Sequence, residues 1–280
     1  MRIGRFTRAA DSPFWGLIDP AAGTVRRMGG ALREWASDAA AERMASLPLE
    51  PTELALEDLR WLPPLEPGAR VLGCGANYKI HLTRLGAEPP DQPVAFIKPD
   101  SAVIGHEAEI SYPRTTEKLD YEVELVAMLA GPLSEGGDAG QALLGFTVGN
   151  DVSARDAMSP FGGPDMYGMK SLDATSPLGP WISTPAELAG GIRPQVGIAL
   201  RVNGEERQRD HTSQMIFPVD VLLRYLDART RLRCGDVMFT GTTAGVGLED
   251  GRFLKPGDVV EAEIDGIGVL RNTVGPRPAR

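Results

Sequence analysis

The sequence predicts a β-rich α+β protein: a small N-terminal α+β domain (residues 1–68), a larger domain (69–275) and a short flexible tail (276–280). Three observations predict it. Short segments of alternating apolar and polar residues, bounded by Gly, Pro, Asn and Asp, recur along the chain and read as strands. Helical patterns are few and do not alternate regularly with the strands, which argues against a Rossmann or barrel order. The stretch Trp61-Leu62-Pro63-Pro64-Leu65-Glu66-Pro67-Gly68 continues neither a helix nor a central strand, and so reads as a junction.

The bulk numbers narrow the function classes. The chain has 280 residues, 42% of them hydrophobic, enough for a sizeable core. A net charge of −9 argues against nucleic acid or an anionic membrane surface as the main partner. The apolar runs fall short of the roughly 20 residues of a membrane span, and Met1-Arg2-Ile3-Gly4-Arg5-Phe6 carries no apolar signal core. The two cysteines, Cys74 and Cys234, form neither a metal spacing nor a disulfide framework. A cytoplasmic protein with reduced thiols is expected.

In order, strand-like pieces at 3–6, 14–18 and 24–26 precede an Ala-, Glu- and Arg-rich helical stretch at 31–45. After the junction, residues 69–73 read as a strand with a tight exit at Gly73-Cys74-Gly75. Asn77 is placed to cap a helix over 78–85. A strand ends at Ala95-Phe96-Ile97-Lys98-Pro99, and 102–104 with 109–112 resemble a hairpin. The acidic stretch Asp120-Tyr121-Glu122-Val123-Glu124-Leu125-Val126 reads as a strand entering a core. A strand at 144–148 runs into Gly149-Asn150-Asp151, followed by a Gly-, Pro- and Ser-rich loop at 159–164 of the kind that forms lids. Residues 196–202 form a strand ended by the hairpin turn Asn203-Gly204. An amphipathic helix covers 219–228, a strand starts at 235–240, and the Gly-rich loop 241–247 follows. Residues 259–264 and 268–272 close a hairpin across Asp265-Gly266.

Residues two apart on a strand share a face, about 6.5–7 Å apart, so Glu122 and Glu124 project side by side. In a partly dry place such a pair needs a proton or a cation; on a solvent-facing edge it needs neither, and both readings stand. Asp151 lies just past a strand that can neighbour the acidic one, though it also reads as a turn residue closing that strand. Three carboxylates without Cys or His are a hard set, suited to Mg²⁺ or Mn²⁺ rather than Zn²⁺ or copper. They would leave about three octahedral positions for a bidentate 2-oxo acid and a water. Arg155 offers a bidentate fork to a carboxylate, or a salt bridge to Asp156 or another acid. Lys170, in a loop, is a donor to an oxyanion or a solvated lysine. His81 is a general base or a structural histidine; His106 and His211 read as structural. The 241–247 loop offers N–H groups and the Thr242 hydroxyl to an anion, or is a tight turn.

Together these pieces resemble the fumarylacetoacetate hydrolase family. The match is carried by Asn77-Tyr78-Lys79-Ile80-His81, Phe96-Ile97-Lys98-Pro99, Asp120-Tyr121-Glu122-Val123-Glu124-Leu125 and Asn150-Asp151-Val152-Ser153-Ala154-Arg155-Asp156. It continues through Lys170, Pro177-Leu178-Gly179-Pro180, Asn203-Gly204-Glu205, Gly235-Asp236, Thr240-Gly241-Thr242 and Pro256-Gly257-Asp258-Val259-Val260, in the family's order. The resemblance implies a mixed β-sandwich roll, a homodimer, and Mg²⁺ or Mn²⁺ on Glu122, Glu124 and Asp151. It implies that Arg155, Lys170 and Thr242 hold the oxo-acid end and developing enolate of a small 2-oxo acid, with His81 as base. Tyr78 and Lys98, within the matching blocks, join the substrate-binding set. The implied activity is metal-dependent C–C hydrolysis of an acylpyruvate or diketo acid. Isomerisation, tautomerisation or oxaloacetate-type decarboxylation is the alternative, and non-catalytic metal binding a second one.

The chain departs from the family pattern on the water-activating side. Arg84 stands three residues after the histidine, where many relatives have Glu. The place of the Glu that others carry after the Thr-Gly-Thr block falls near Gly247. Met158, Met169 and Thr243 replace a usual Gln, Gly and Pro. If 78–85 is a helix, His81 and Arg84 share a face. A cation beside an imidazole favours its neutral form, which would make His81 a neutral base with no carboxylate to hold its tautomer. Alternatively Arg84 binds a second substrate carboxylate. Glu88 and Glu107 are further candidate partners for His81.

Overall fold

The computed structural model describes residues 1–8 and 12–278. Its largest feature is a twelve-stranded mixed sheet. Across it, in spatial order, run Leu49–Ala55, Thr24–Met28, Phe14–Asp19, Arg2–Thr7, Ser176–Ser183, Leu143–Asn150, Val123–Leu129, Val237–Thr242, Val71–Gly75 and Val94–Lys98. Arg60–Leu62 pairs with Arg2–Thr7, and Val103–Ile104 pairs with Ser176–Ser183. A second sheet of five strands orders Glu205–His211, Gly197–Val202, Val259–Ile264, Gly268–Val274 and Glu109–Ile110. The α-helices are short, the longest being Leu32–Ala40 and Val219–Asp227. The architecture is thus the expected β-rich α+β fold. Among the described residues no helix is long and apolar enough to cross a membrane.

Strand alternation explains how the two sheets enclose the core. Val123, Leu125, Ala127 and Leu129 point to one face and pack with Ile198, Leu200, Ala262 and Leu270 of the five-stranded sheet. Val126 and Met128 point to the other, against Trp35, Leu178 and Phe239. A strand covered on both sides carries a near-continuous apolar run, which is why the acidic alternation dies out after Glu124. The N-terminal strands continue the large sheet, since Ile3 pairs with Ile182.

Several local expectations are corrected. The helix expected over 31–45 stops at Ala40, and Glu42, at φ 53°, adopts a left-handed backbone that no helix continues. The pieces 102–104 and 109–112 form no hairpin. Val103–Ile104 and Glu109–Ile110 join different sheets, because Asn272 Nδ2 captures the carbonyls of Gly105 and Ala108 between them. The helix after the glycines is Lys79–Arg84, and Asn77 does not cap it. Its side chain instead ties Phe217 and Thr240 together, accepting from Phe217 N at 2.8 Å and donating to Thr240 O at 2.7 Å. In the tail, Arg277 pairs with Glu117 and lies over Tyr112; residues 279–280 fall outside the described residues.

Candidate active site

The acidic stretch is two strands joined by a break. Leu119–Asp120 turns away to pair with Ser153–Ala154, and Val123–Leu129 begins after Glu122. The break is stitched to the end of the neighbouring strand. Asn150 Oδ1 accepts from Glu122 N, and Glu122 O accepts from Asp151 N, both at 2.9 Å. That lock brings Asp151 beside the two glutamates. Glu122, Glu124 and Asp151 each offer a carboxylate oxygen, and these oxygens lie within 4.8 Å of one another. All three are buried, so the solvent-facing reading of the pair falls.

Three cations and a fourth acid surround the trio. Lys170 Nζ donates at 2.7 Å to Glu122 Oε2, Asp151 Oδ2 and Ser153 Oγ. It ends the short helix Met166–Lys170 and is buried, so the solvated-lysine reading is overturned. Lys98, also buried, donates to Asp151 Oδ1. Arg155 spans Glu122 Oε1 and Asp120 Oδ2, the latter at 2.8 Å. It does not use Asp156, which accepts from Thr116 Oγ1 and Glu117 N. Counting formal charges, four carboxylates (Asp120, Glu122, Glu124, Asp151) face three cations (Lys98, Arg155, Lys170) and leave one negative charge over.

That excess sits on Glu124. Burial, with Asp151 and Glu122 alongside, pushes its carboxyl well above the usual range. The Lys170 charge and the Gly241 N–H, 2.7 Å from Oε2, favour the ionised form but do not outweigh these. Burial also works on Glu122, but Lys170 and Arg155 outweigh it and hold that carboxyl down at about 2. Burial pulls the Lys98 ammonium down despite Asp151. For Lys170 the pull of burial is overcome by Asp151 and Glu122, and its pKa rises. Three buried hard oxygen donors with an uncompensated carboxylate fit a divalent cation such as Mg²⁺ or Mn²⁺.

His81 lies on the helix Lys79–Arg84, close enough for its charge to act on Glu122. Its partner is neither Glu88 nor Glu107. Nδ1 is 3.3 Å from Glu249 Oε1, which also accepts from Gly245 N at 3.0 Å. Glu249 Oε2 accepts from Arg84 Nη1 at 3.2 Å. The expectation that His81 lacks a carboxylate is therefore overturned. Glu249 stands two residues past the place assigned to it near Gly247, on the short helix Gly247–Asp250. Asp120, another residue that sequence reasoning passed over, holds the start of that helix by accepting from Gly247 N at 2.6 Å and Leu248 N at 3.0 Å.

The remaining candidates make contacts within the protein. The Thr242 hydroxyl donates to Val123 O at 2.8 Å and accepts from Gln208 Nε2 at 2.9 Å. The amides of Gly241, Gly245 and Gly247, offered by the sequence to an anion, serve Glu124, Glu249 and Asp120 instead. Gly241 takes φ +98°, and a Cβ there would sit 2.9 Å from Cys74 O, so only glycine brings this amide onto Glu124. Tyr78 is fully buried, and its hydroxyl has no partner among the described residues; burial, then Glu124 and Asp210, raises its pKa well above normal. His106 and His211 serve local structure, on Arg271 N and Ser213 Oγ. Met158 is exposed and Met169 buried.

The chain belongs to the fumarylacetoacetate hydrolase family: residues 70–275 match the family described as fumarylacetoacetate (FAA) hydrolase C-terminal. An uncharacterized protein of Archaeoglobus fulgidus is 40% identical over 223 residues, covering 79% of this chain and 84% of its own. Among solved structures, 5-carboxymethyl-2-hydroxymuconate delta-isomerase from Mycobacterium smegmatis superposes with a TM-score of 0.81 at 29% identity, covering 99% of this chain and 100% of its own. Fumarylpyruvate hydrolase from Pseudomonas aeruginosa, in complex with Mn²⁺ and pyruvate, gives 0.66 at 33% identity over 74% of this chain and 90% of its own. The scaffold is thus one on which both hydrolases and isomerases occur, and here it carries a candidate divalent-metal site.

Proposed function

We propose that the protein is a divalent-cation-dependent hydrolase that cleaves a C–C bond in a small 2-oxo acid of the acylpyruvate or diketo type. The observation that carries this reading is the His81–Glu249 pair, set beside the buried Glu122, Glu124 and Asp151. A base held by a carboxylate is what activation of water requires.

Glu122, Glu124 and Asp151 would hold the divalent cation, which would supply Lewis acidity at the 2-oxo acid end of the substrate. His81 takes a proton from water while Glu249 accepts from its Nδ1–H and fixes the tautomer. The water oxygen bonds to the distal acyl carbon. The bond between that carbon and the methylene breaks, and its electron pair becomes the enolate of pyruvate. Lys170 exchanges one of its three bonds for the developing enolate oxygen. The proton held by His81 then goes to the methylene carbon. Water and an acylpyruvate thus yield a carboxylic acid and pyruvate. The manganese and pyruvate reported for the Pseudomonas aeruginosa relative support the choice of cation and product.

An isomerase or decarboxylase is the second reading, and the likeness to the Mycobacterium smegmatis isomerase favours its isomerase form. Both are tested by one assay. Purified protein meets acylpyruvates and oxaloacetate with Mg²⁺ or with chelator, and diketone absorbance and pyruvate are followed separately. Cation-dependent loss of diketone matched by pyruvate and a free acid is expected. Absorbance change without a free acid, or pyruvate from oxaloacetate alone, replaces hydrolysis with the second reading. A homodimer belongs to the same proposal, and light scattering reads it.

A further inference from the structure

We infer that Arg84 is a positioning residue: its guanidinium holds the outer oxygen of Glu249 so that the inner oxygen stays on His81 Nδ1. The inference rests on the reading of His81 as the group that moves the proton.

The carboxylate that serves His81 arrives from far away. Glu249 is 168 residues distant in sequence, on a helix of four residues that ends at Gly251 in a left-handed conformation (φ 79°). Such an element does not fix a long side chain by itself, and the terminal torsion of glutamate is broad. The inner oxygen, Oε1, has two donors, Gly245 N and His81 Nδ1. The outer oxygen, Oε2, has Arg84 as its hydrogen-bond donor. Without that bond Oε2 loses this donor, and the carboxylate's orientation rests on the Gly245 N–H and on the imidazole it is meant to orient.

Helix geometry makes the clamp possible. His81 and Arg84 are three apart and share a face, so one short helix supplies both the imidazole and the cation on the far side of the carboxylate. The charged groups facing His81 are Glu249 from the 247–250 helix, Glu122 from the edge of the acidic strand, and Arg84 from its own helix. The Arg84 side chain is 57% exposed, which makes its replacement tolerable to the fold. A cleft of about 330 Å³ lies outside it, lined in part by Arg207 and Arg252. Since Glu249 stands between Arg84 and His81, Arg84 acts through the carboxylate and does not touch the reacting atoms.

The test compares Arg84→Ala, Arg84→Lys, Glu249→Gln and the Arg84→Ala/Glu249→Gln double variant, in Mg²⁺. One readout needs no substrate: the ring ¹⁵N shifts of His81, assigned by their loss in His81→Asn, report which nitrogen carries the proton. The expected result is an Nδ1–H tautomer in the parent and a mixture in Arg84→Ala, with Arg84→Lys restoring most of the parent signal. In the Glu249→Gln background Arg84→Ala changes nothing further. Kinetically, kcat falls roughly three- to tenfold in Arg84→Ala, the size a half-exposed charged hydrogen bond carries. KM stays unchanged for monocarboxylic and dicarboxylic acylpyruvates alike. Unchanged ring shifts and kcat in Arg84→Ala overturn the inference. A KM increase confined to dicarboxylic substrates also overturns it, by making Arg84 a substrate contact. If no substrate is hydrolysed and the ring shifts still respond as expected, the hydrolase reading fails and the positioning role stands.

Discussion

Cation uptake at the acidic trio should release a proton, and the structure says from which residue. Glu122 is held at about 2 by Lys170 and Arg155 against burial, so it is already ionised at any ordinary pH and releases nothing. Glu124 is the opposite case, pushed well above its ordinary 4.5 by burial and by Asp151 and Glu122. With no cation, the raised folded value means that a proton on Glu124 stabilises the native state. That contribution is full below the unfolded value of 4.5 and is lost as pH rises through the folded value. A cation takes the proton's place, so its affinity rises with pH, by about tenfold per unit below the folded pKa and by little above it. In stability terms, a cation concentration of 100 Kd adds about 2.7 kcal/mol, and one pH unit lower the same concentration adds about 1.4 kcal/mol. The assay is calorimetric titration with Mg²⁺ or Mn²⁺ between pH 5.5 and 7.5, in two buffers of different ionisation enthalpy. The proton should show as a buffer-dependent enthalpy, and Glu124→Gln should abolish it. Equal enthalpies in both buffers together with a pH-flat affinity would refute the assignment of the excess charge to Glu124.

Other outcomes follow from the same geometry. Glu249→Gln removes the charge that serves His81; a charge-assisted hydrogen bond is worth about 1.5–3 kcal/mol, so kcat should fall roughly 10- to 150-fold. Cation affinity should not move, because Glu249 lies outside the trio, and a parallel loss of Mn²⁺ binding would contradict that placement. Gly145→Ala puts a Cβ 2.3 Å from the Ser183 carbonyl across the neighbouring strand. The strands must shift, and urea denaturation should show a loss of about 1–3 kcal/mol, with near-parent stability counting against the packing. Burial, with Glu124 adding to it, pushes the Cys74 thiol up to about 12, and burial pushes Cys234 to about 11. Both should resist alkylation at pH 8 in the native protein and react in denaturant, as read by mass spectrometry; native labelling of Cys74 would contradict its burial.

What the sequence could show was local. Glu122 and Glu124 were legible because their alternation read as one strand face, although Glu122 lies in the break just before that strand, and Asp151 because it stands just past a strand able to lie alongside. The family blocks added their roles. What stayed hidden depended on contacts across the chain. Glu249 reaches His81 from a helix of four residues, too short to leave a periodic signature, and the spacing after Thr-Gly-Thr pointed two residues short of it. Asn77 carries the residue type of a helix cap, but its amide is claimed by Phe217 and Thr240 from other elements. The 102–104 and 109–112 pieces have hairpin spacing, yet Asn272 holds the loop between them and each pairs elsewhere. Lys170, named for the site by the family blocks, could be read from its own neighbourhood only as a loop lysine, donor or solvated, because nothing near it in sequence announces the two carboxylates it binds.

Asp120 shows why the cation half and the water half of the site form one unit. Its buried carboxylate accepts from Tyr121 N, Gly247 N, Leu248 N and Arg155 Nε, at 2.6–3.0 Å. Arg155 continues to Glu122, and Gly247 and Leu248 begin the helix that carries Glu249. One side chain therefore fixes Glu122 on one side and the partner of His81 on the other. A Cβ at Gly247 would lie 2.7 Å from Asp120 Oδ1, so the glycine there answers to this carboxylate's close approach rather than to a ligand. The same holds along the loop, whose amides meet Glu124, Glu249 and Asp120 in turn. A glycine-rich loop of this kind suits an anion cradle, but here the anions are the protein's own. Their fixed positions set the distance between the base and the cation-binding carboxylates before any substrate arrives.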